Sequence, residues 1–309
     1  MMTFERFVNE IERGVAAVLG SDYHVEAKKV TKNNGVALTG LMIGKAEGRV
    51  ALAIYLNPLY ESYSAGNGHN NLEEMAELIV AEYKEQQGEA EQMRNELGEF
   101  LDYEKNKDKI VFKLINTEEN REILKRIPSQ SFHDLSIVFM LYLGERERGI
   151  STALISNEHM ALWNVTESEL YEEAKKNTPR LLPETFVGIS EMIQDSLRYE
   201  GDGDMNAEQM DGCPSPFYIL TNRLGIEGAA CMIYPGVVRR CADKLNCDLL
   251  ILPSSIHETL LLPYDCMVNV EEMREMVQSV NRSVVSVEDR LSGQVYMYKR
   301  SEDRIAVAV

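Results

Sequence analysis

Strand-like segments in this sequence come in neighbouring groups joined by short turns, and this arrangement constrains the fold more than any other feature. Five clear segments of this kind are residues 22–31, 35–44, 49–57, 135–143 and 150–156. The turns between them are Asn33-Asn34-Gly35, Ala46-Glu47-Gly48 and a charged GERERG stretch. Turns this short predict antiparallel pairing, because parallel strands need a long crossover between them.

Helical patterns lie between these groups of strands. Apolar side chains at helical spacing predict a helix over residues 3–19, and the Thr166/Glu169 pair has the spacing of a capping box. Asn269, with Glu272 three residues later, predicts a further helix start. The expected fold class is therefore α+β, with mostly antiparallel sheets built from hairpins and helices packed on them.

Three local predictions concern the second half of the chain. Residues 184–199 have an amphipathic helical pattern, and the preceding helix is expected to end at Thr178-Pro179. The apolar run GAACMIY is expected to be a strand. Residues 199–216 are rich in glycine, aspartate and proline, which predicts a mobile acidic loop.

The length of 309 residues fits two sub-domains, since one domain usually takes about 100 to 200 residues. We place the boundary after Pro128, which closes a short helical segment. The prediction is an N-terminal helix-meander-helix domain at 1–128 and a C-terminal α+β domain at 129–309.

Charge and composition argue against several classes of partner. The formal net charge is −18, and no long basic stretch offsets it, so nucleic acid and anionic membranes are not expected partners.

The location of the protein is indicated by its apolar segments, its N-terminus and its cysteines. No apolar run approaches the length of about 20 residues that a membrane span needs. The acidic, amphipathic N-terminus is unlike a signal peptide. Five cysteines without a C-x-x-C pair are typical of reduced, buried thiols. A cytoplasmic location is expected.

Sequence motifs for cofactors and metals are missing. The two glycine-rich motifs that bind phosphate, G-x-G-x-x-G and G-x-x-x-x-G-K-S/T, do not occur in the sequence. The five histidines are scattered along the chain and show no metal-ligand spacing. DGDMN at 202–206 imitates the start of an EF-hand loop, but Ala207 stands where the turn glycine belongs. We predict no cofactor and no metal site.

The stretch LPSSIHE carries the densest group of reactive side chains, namely Ser254, Ser255, His257 and Glu258. A serine hydrolase needs a nucleophile, a base and an orienting acid, and this turn supplies all three types. The simpler interpretation is a hairpin tip between two buried strands, in which the serines bond the turn backbone. A third interpretation is a surface that contacts a ligand or partner.

Long phrases along almost the whole chain resemble a bacterial family known as domain of unknown function 5688, typical of anaerobic gut Gram-positives. They include GLMIGKAEGRVALAIYLNPLYESY, IVFKLINTEENREILKRIP, LYEEAKKNTPRLLP, GAACMIYPGVV and DLLILPSSIHETLLLP. The resemblance implies an intracellular protein and brings no activity, cofactor or catalytic residue with it. It directs attention to the segments LTN, YPGV, NTP and LPSSIHE.

Two functions follow from these observations. The first is a non-enzymatic binding module that holds an unknown protein or small-molecule partner, with Asn222, Tyr234 and His257 as binding residues. The alternative is a hydrolase that uses Ser254 or Ser255 with His257 and Glu258. The first is preferred, because no second half of a catalytic apparatus is visible in the sequence.

Overall fold

A computed structural model describes most of the chain, and its contacts divide into two compact units, Met1–Asp102 and Tyr103–Val309. Its strands pair in antiparallel sheets and helices pack against them, which confirms the predicted α+β class. The described residues are 2–45, 52–66, 71–98, 100, 102–146, 149–192, 216–265 and 268–309, without the side chains of residues 86 and 89–98.

The first unit is a three-stranded meander covered by helices. Its elements are α1 (Phe4–Leu19), β1 (Tyr23–Thr31), β2 (Ala37–Lys45), β3 (Leu52–Tyr55), α2 (Leu56–Ser64) and α3 (Leu72–Gly98). The sheet order is β1-β2-β3. The helical stripe expected at the N-terminus is the buried face of α1, where Phe7, Ile11 and Val15 are fully buried against α3 and the sheet. Thr3 caps α1 by accepting the amide of Arg6.

The second unit contains two antiparallel sheets. Its first elements are α4 (Tyr103–Asn106), β4 (Ile110–Asn116), α5 (Arg121–Leu124), β5 (Ser129–Phe132), β6 (Leu135–Arg146), β7 (Gly149–Leu154), α6 (Asn157–Trp163), α7 (Glu167–Leu181) and β8 (Glu184–Gly188). There follow β9 (Tyr218–Asn222), a 3₁₀ helix (Gly228–Ile233), α8 (Val237–Leu245), β10 (Leu249–Leu252), β11 (Thr259–Pro263), α9 (Val270–Ser283), β12 (Tyr296–Lys299) and β13 (Arg304–Val307).

The larger sheet of the second unit has the order β13-β12-β10-β11-β9-β8, and the smaller has β4-β6-β5 with β7 also on β6. One face of the larger sheet packs on α9, where Val277 meets Leu250 and Leu262 in a buried cluster. Asn269 caps α9 by accepting the amides of its first turn, as its position in the sequence predicts.

The two units divide at Asp102, whereas the sequence placed the boundary after Pro128. The reason is the pairing of β4, which runs antiparallel to β6 from Ile110 opposite Leu141 to Asn116 opposite Leu135. Because β4 completes the smaller sheet, the residues from Tyr103 onward fold with the second unit.

Three local predictions were wrong in whole or in part. Within the helix predicted at 184–199, residues 184–188 instead form the edge strand β8, because they pair with β9 from Glu184 opposite Asn222. Residues 189–192 are helical as predicted, and residues 193–199 lie outside the described residues. GAACMI forms a 3₁₀ helix whose small apolar residues are buried on all sides, a case that periodicity cannot distinguish from a buried strand. Helix α7 continues through Pro179 to Leu181. The loop predicted at 199–216 lies outside the described residues, except for Pro216.

The NTP segment of α7 closes the free edge of the smaller sheet. Thr178 Oγ1 accepts the amide of Phe112 at 3.1 Å, and Asn177 Nδ2 donates to the carbonyl of Ile110 at 3.2 Å. Both backbone groups belong to β4, the outer strand of that sheet. An edge strand with unpaired backbone groups invites association with other chains, so these two side chains protect it.

We predict that Thr178→Val lowers the free energy of unfolding by about 1 to 3 kcal/mol, because the buried amide of Phe112 loses its acceptor. Urea unfolding followed by circular dichroism measures the effect. The matched control is Thr185→Val on β8, where the threonine is exposed and we expect a change within about 0.5 kcal/mol. Equal effects of the two substitutions would refute a special role for Thr178.

Candidate functional site

The LPSSIHE turn joins β10 to β11, which pair from Leu249 opposite Pro263 to Leu252 opposite Leu260. The predicted hairpin is therefore present. Its tip does not project away from the fold. The amide of Ile256 donates to the Asp289 carbonyl at 2.8 Å, and further backbone bonds tie residues 253 and 254 to 291 and 292.

The serines of the turn serve its backbone. Ser255 is buried, and its Oγ accepts the amide of His257 at 2.9 Å, which is the local turn bond that serine commonly makes. The Ser254 carbonyl accepts the amide of Leu291 at 3.1 Å, and the residue is half-buried. Glu258 is also half-buried. Within the described part of the chain, neither serine hydroxyl is hydrogen-bonded to the imidazole of His257.

Both ring nitrogens of His257 already have partners. Nδ1 accepts the backbone amide of Glu227 at 3.2 Å, so the neutral ring carries its proton on Nε2, which lies 3.2 Å from Asp289 Oδ1. A general base needs a free lone pair that faces the nucleophile. In this arrangement neither nitrogen offers one to Ser254 or Ser255, so the ring connects two segments instead.

The opposite side of the turn contacts the end of β9 and the start of the 3₁₀ helix. Thr221 Oγ1 donates to the His257 carbonyl at 2.7 Å, and the amide of Ala229 donates to the Ile256 carbonyl at 3.1 Å. A Cβ atom on Gly228 would lie 2.1 Å from Thr221 Oγ1 and 2.6 Å from the His257 carbonyl oxygen. Only glycine allows the segments to approach this closely.

Sequence reasoning missed Glu227 and Asp289, the two partners of His257. Glu227 adopts a left-handed backbone conformation with φ of 53°, which directs its amide to the ring, and its carboxylate pairs with Lys113 of β4. Asp289 also accepts the hydroxyl of Ser286 at 2.7 Å. Both partners lie about 30 positions from His257, so no local spacing could have revealed them.

Asn222 and Tyr234, the other predicted binding residues, occupy different places. Asn222 is buried; its Nδ2 donates to the Ile226 carbonyl at 2.7 Å and its Oδ1 accepts the amide of Leu224 at 3.0 Å. It therefore shapes the loop after β9, beside the LPSSIHE turn. Tyr234 lies at the other end of the 3₁₀ helix, where its hydroxyl donates to the Leu182 carbonyl at 3.1 Å. Burial raises the pKa of this phenol well above its usual range.

A cleft of about 390 Å³ opens beside Tyr234, and we call it the Tyr234 cleft. It lies between the start of α8, the β12–β13 hairpin, the β5–β6 hairpin and α7. Its polar and aromatic lining includes Tyr171, Tyr234, Arg239, Tyr298, Asp303 and Arg304. Of the residues predicted as a site, Tyr234 alone contributes to this lining. The structure thus separates Tyr234 from Asn222 and His257.

Charged groups at the mouth of the cleft are held in place by one another. Asp303 accepts the hydroxyl of Tyr298 at 2.5 Å through Oδ1 and a guanidinium N–H of Arg239 at 3.0 Å through Oδ2. The tyrosine hydrogen bond, then the arginine, holds the pKa of Asp303 below its usual range. Burial, followed by the bond to Asp303, raises the pKa of Tyr298 to about 12.

Two buried cysteines of the second unit are poorly suited to act as nucleophiles. Burial raises the pKa of Cys231 to about 12 and that of Cys241 to about 11, so both thiols stay protonated at neutral pH and are weak nucleophiles. No group of three or more metal-binding side chains occurs among the residues that the structure describes. In the same residues, no helix is long and apolar enough to cross a membrane.

We predict that His257→Ala lowers the free energy of unfolding by about 1 to 3 kcal/mol, because the Glu227 amide and the Asp289 carboxylate both lose a partner. Chemical denaturation measures it. Glu258→Ala, one residue away and also half-buried, is the control, and a change within about 0.5 kcal/mol is expected there. A His257→Ala protein as stable as the wild type would contradict a connecting role for the ring.

Comparison with known proteins gives a family and no activity. No curated protein and no solved structure matches the chain. A model of a family of unknown function, DUF5688, matches residues 4–300, which is nearly the whole chain. The match spans both compact units and includes the LPSSIHE turn and the lining of the Tyr234 cleft as far as Tyr298, whereas Asp303, Arg304 and Ile305 lie beyond its end. The chain therefore belongs to this family of unknown function.

Proposed function

We propose that this protein is a non-enzymatic binding module and that its ligand is a small molecule held in the Tyr234 cleft. The observation that carries the proposal is the cleft itself. Its volume of about 390 Å³ lies within the range of about 300 to 1,000 Å³ typical of small-molecule sites. Its lining combines aromatic and aliphatic side chains with a few charged groups, the composition expected where an organic ligand is bound and oriented.

The lining of the cleft supports binding to a preformed site. Tyr234 and Tyr298 are almost completely buried, and both hydroxyls are hydrogen-bonded, to the Leu182 carbonyl and to Asp303. Tyr234 also packs edge to face on Phe112 with ring centroids 5.8 Å apart. Side chains fixed in this way lose little conformational entropy when a ligand binds, which favours affinity.

The hydrolase alternative receives less support from the geometry. His257 uses Nδ1 to accept the Glu227 amide and Nε2 to contact Asp289, and Ser255 accepts a backbone amide within the turn. Catalysis would require the ring to break one of these bonds before it could accept a serine proton. Binding in the Tyr234 cleft needs no such rearrangement. The strongly acidic chain also disfavours nucleic acid as the partner.

We predict that the uncharged fluorescent probe N-phenyl-1-naphthylamine binds the wild-type protein and that Ile305→Trp weakens this binding at least tenfold, or about 1.4 kcal/mol. Ile305 lines the cleft, so a larger side chain there takes up the space of the probe. Fluorescence titration measures the dissociation constants, and circular dichroism checks the fold of each variant.

Ser279→Trp is the matched control, since it adds the same side chain at an exposed position of α9. We expect it to bind the probe as the wild type does. Equal affinity of the wild type and Ile305→Trp would place the probe elsewhere and count against the proposal.

A further inference from the structure

We propose that the ligand of the Tyr234 cleft is an organic anion, whose charged group is bound by Arg304 and Arg239 and whose apolar body lies against the aromatic lining. This inference rests on the proposed function and specifies the chemical class of its ligand. Carboxylate, sulfonate and phosphate groups share the chemistry that a guanidinium recognises, namely planar or tetrahedral oxygens that accept paired hydrogen bonds.

The balance of charge at the cleft is opposite to that of the chain. The whole sequence carries a formal charge of −18, yet the cleft is lined by two arginines and one acidic residue. A local excess of positive charge on an acidic protein attracts anions to that place and repels them elsewhere. The bias therefore directs a negatively charged ligand to the cleft.

The guanidinium of Arg239 is positioned at the mouth of the cleft by two acidic side chains. Its guanidinium donates to Asp303 Oδ2 at 3.0 Å and lies 3.9 Å from Asp243 Oδ2, one turn further along α8. About 58% of its side chain is nevertheless exposed, so its remaining N–H groups can reach a ligand. An arginine held by an acid presents these donors in a restricted set of orientations, which lowers the entropy lost on binding.

Arg304 provides a positive charge at the cleft that is not part of an ion pair within the described residues. Arg304 is the first residue of β13 and follows Asp303 in the chain. Both carboxylate oxygens of Asp303 already accept other hydrogen bonds, Oδ1 from the Tyr298 hydroxyl and Oδ2 from the Arg239 guanidinium. Within the part of the chain that the structure describes, no acidic side chain lies at ion-pair distance from Arg304. Arg304 is exposed and lines the cleft, and its guanidinium has no hydrogen-bond partner among the described residues, so its donors are available to an anion there.

The apolar part of the ligand would lie on rings that the fold holds together. Phe132, Tyr171 and Tyr298 come from three different elements and all line the cleft. Aromatic surfaces favour flat, apolar groups through burial and ring contacts. An anion without such a body would gain only the exposed charge contacts, which salt weakens. The structure thus favours an amphiphilic organic anion over a simple inorganic ion.

The test compares two probes that differ by one charged group. These are 1-anilinonaphthalene-8-sulfonate and its uncharged counterpart N-phenyl-1-naphthylamine. We expect the wild type to bind the sulfonate more tightly, and Arg304→Gln to weaken the sulfonate about tenfold, the loss of one charge-assisted contact, while the neutral probe is unaffected. Arg304→Glu should weaken the sulfonate further. Arg282→Gln, which removes an exposed arginine from α9, is the control and should change neither affinity.

The outcomes separate this inference from the proposed function. If neither probe responds to Ile305→Trp, the cleft is not the binding site and the proposed function fails. If the neutral probe responds to Ile305→Trp but the sulfonate binds no more tightly, or Arg304→Gln weakens both probes equally, the cleft binds ligands and the anion preference is overturned. A sulfonate preference that disappears in Arg304→Gln and persists in Arg282→Gln supports the inference.

Discussion

The docking of the LPSSIHE turn is the interaction on which the second unit depends. The turn is bonded on one side to the 3₁₀ helix through the carbonyl of Ile256 and to β9 through the carbonyl of His257, and on the other side to residues 289–292. It therefore links the centre of the larger sheet, where β10 and β11 pair, to segments on either side of it. Buried backbone groups must find partners, and here the carbonyls of residues 253, 254, 256 and 257 and the amides of residues 256 and 257 all have one.

This docking also positions the cleft. The 3₁₀ helix is fixed at its first residues by the turn, through Gly228 and Ala229, and it delivers Tyr234 at its far end. Tyr234 in turn precedes α8, which carries Arg239. A site that binds by preformed shape needs such a rigid support, because a ligand that must first order its site binds more weakly. His257 would then contribute to function through the scaffold without contacting the ligand.

Several structural features were readable from the sequence because they depend on neighbours in the chain. The hairpins, the stripe of α1 and the caps at Thr166 and Asn269 are set by residues within a few positions of each other. Predictions failed where distant pairing decided. Residues 184–188 become a strand only because β9 is there to pair with them. Distant pairing also groups β4 with the second unit, because β4 pairs with β6.

Some features of the candidate site could likewise be predicted from the sequence, and others depend on contacts between distant residues. The sequence by itself determined the α+β class, the hairpin around Ser255 and His257, and a strong negative charge that makes two arginines at one cleft notable. Tertiary structure alone decided that His257 meets Glu227 and Asp289, that Thr178 closes the edge of β4, and that Tyr234 shares a cleft with Arg304. Each of these pairs joins residues about 30 or more positions apart, so packing of the whole unit decides them and no local preference does.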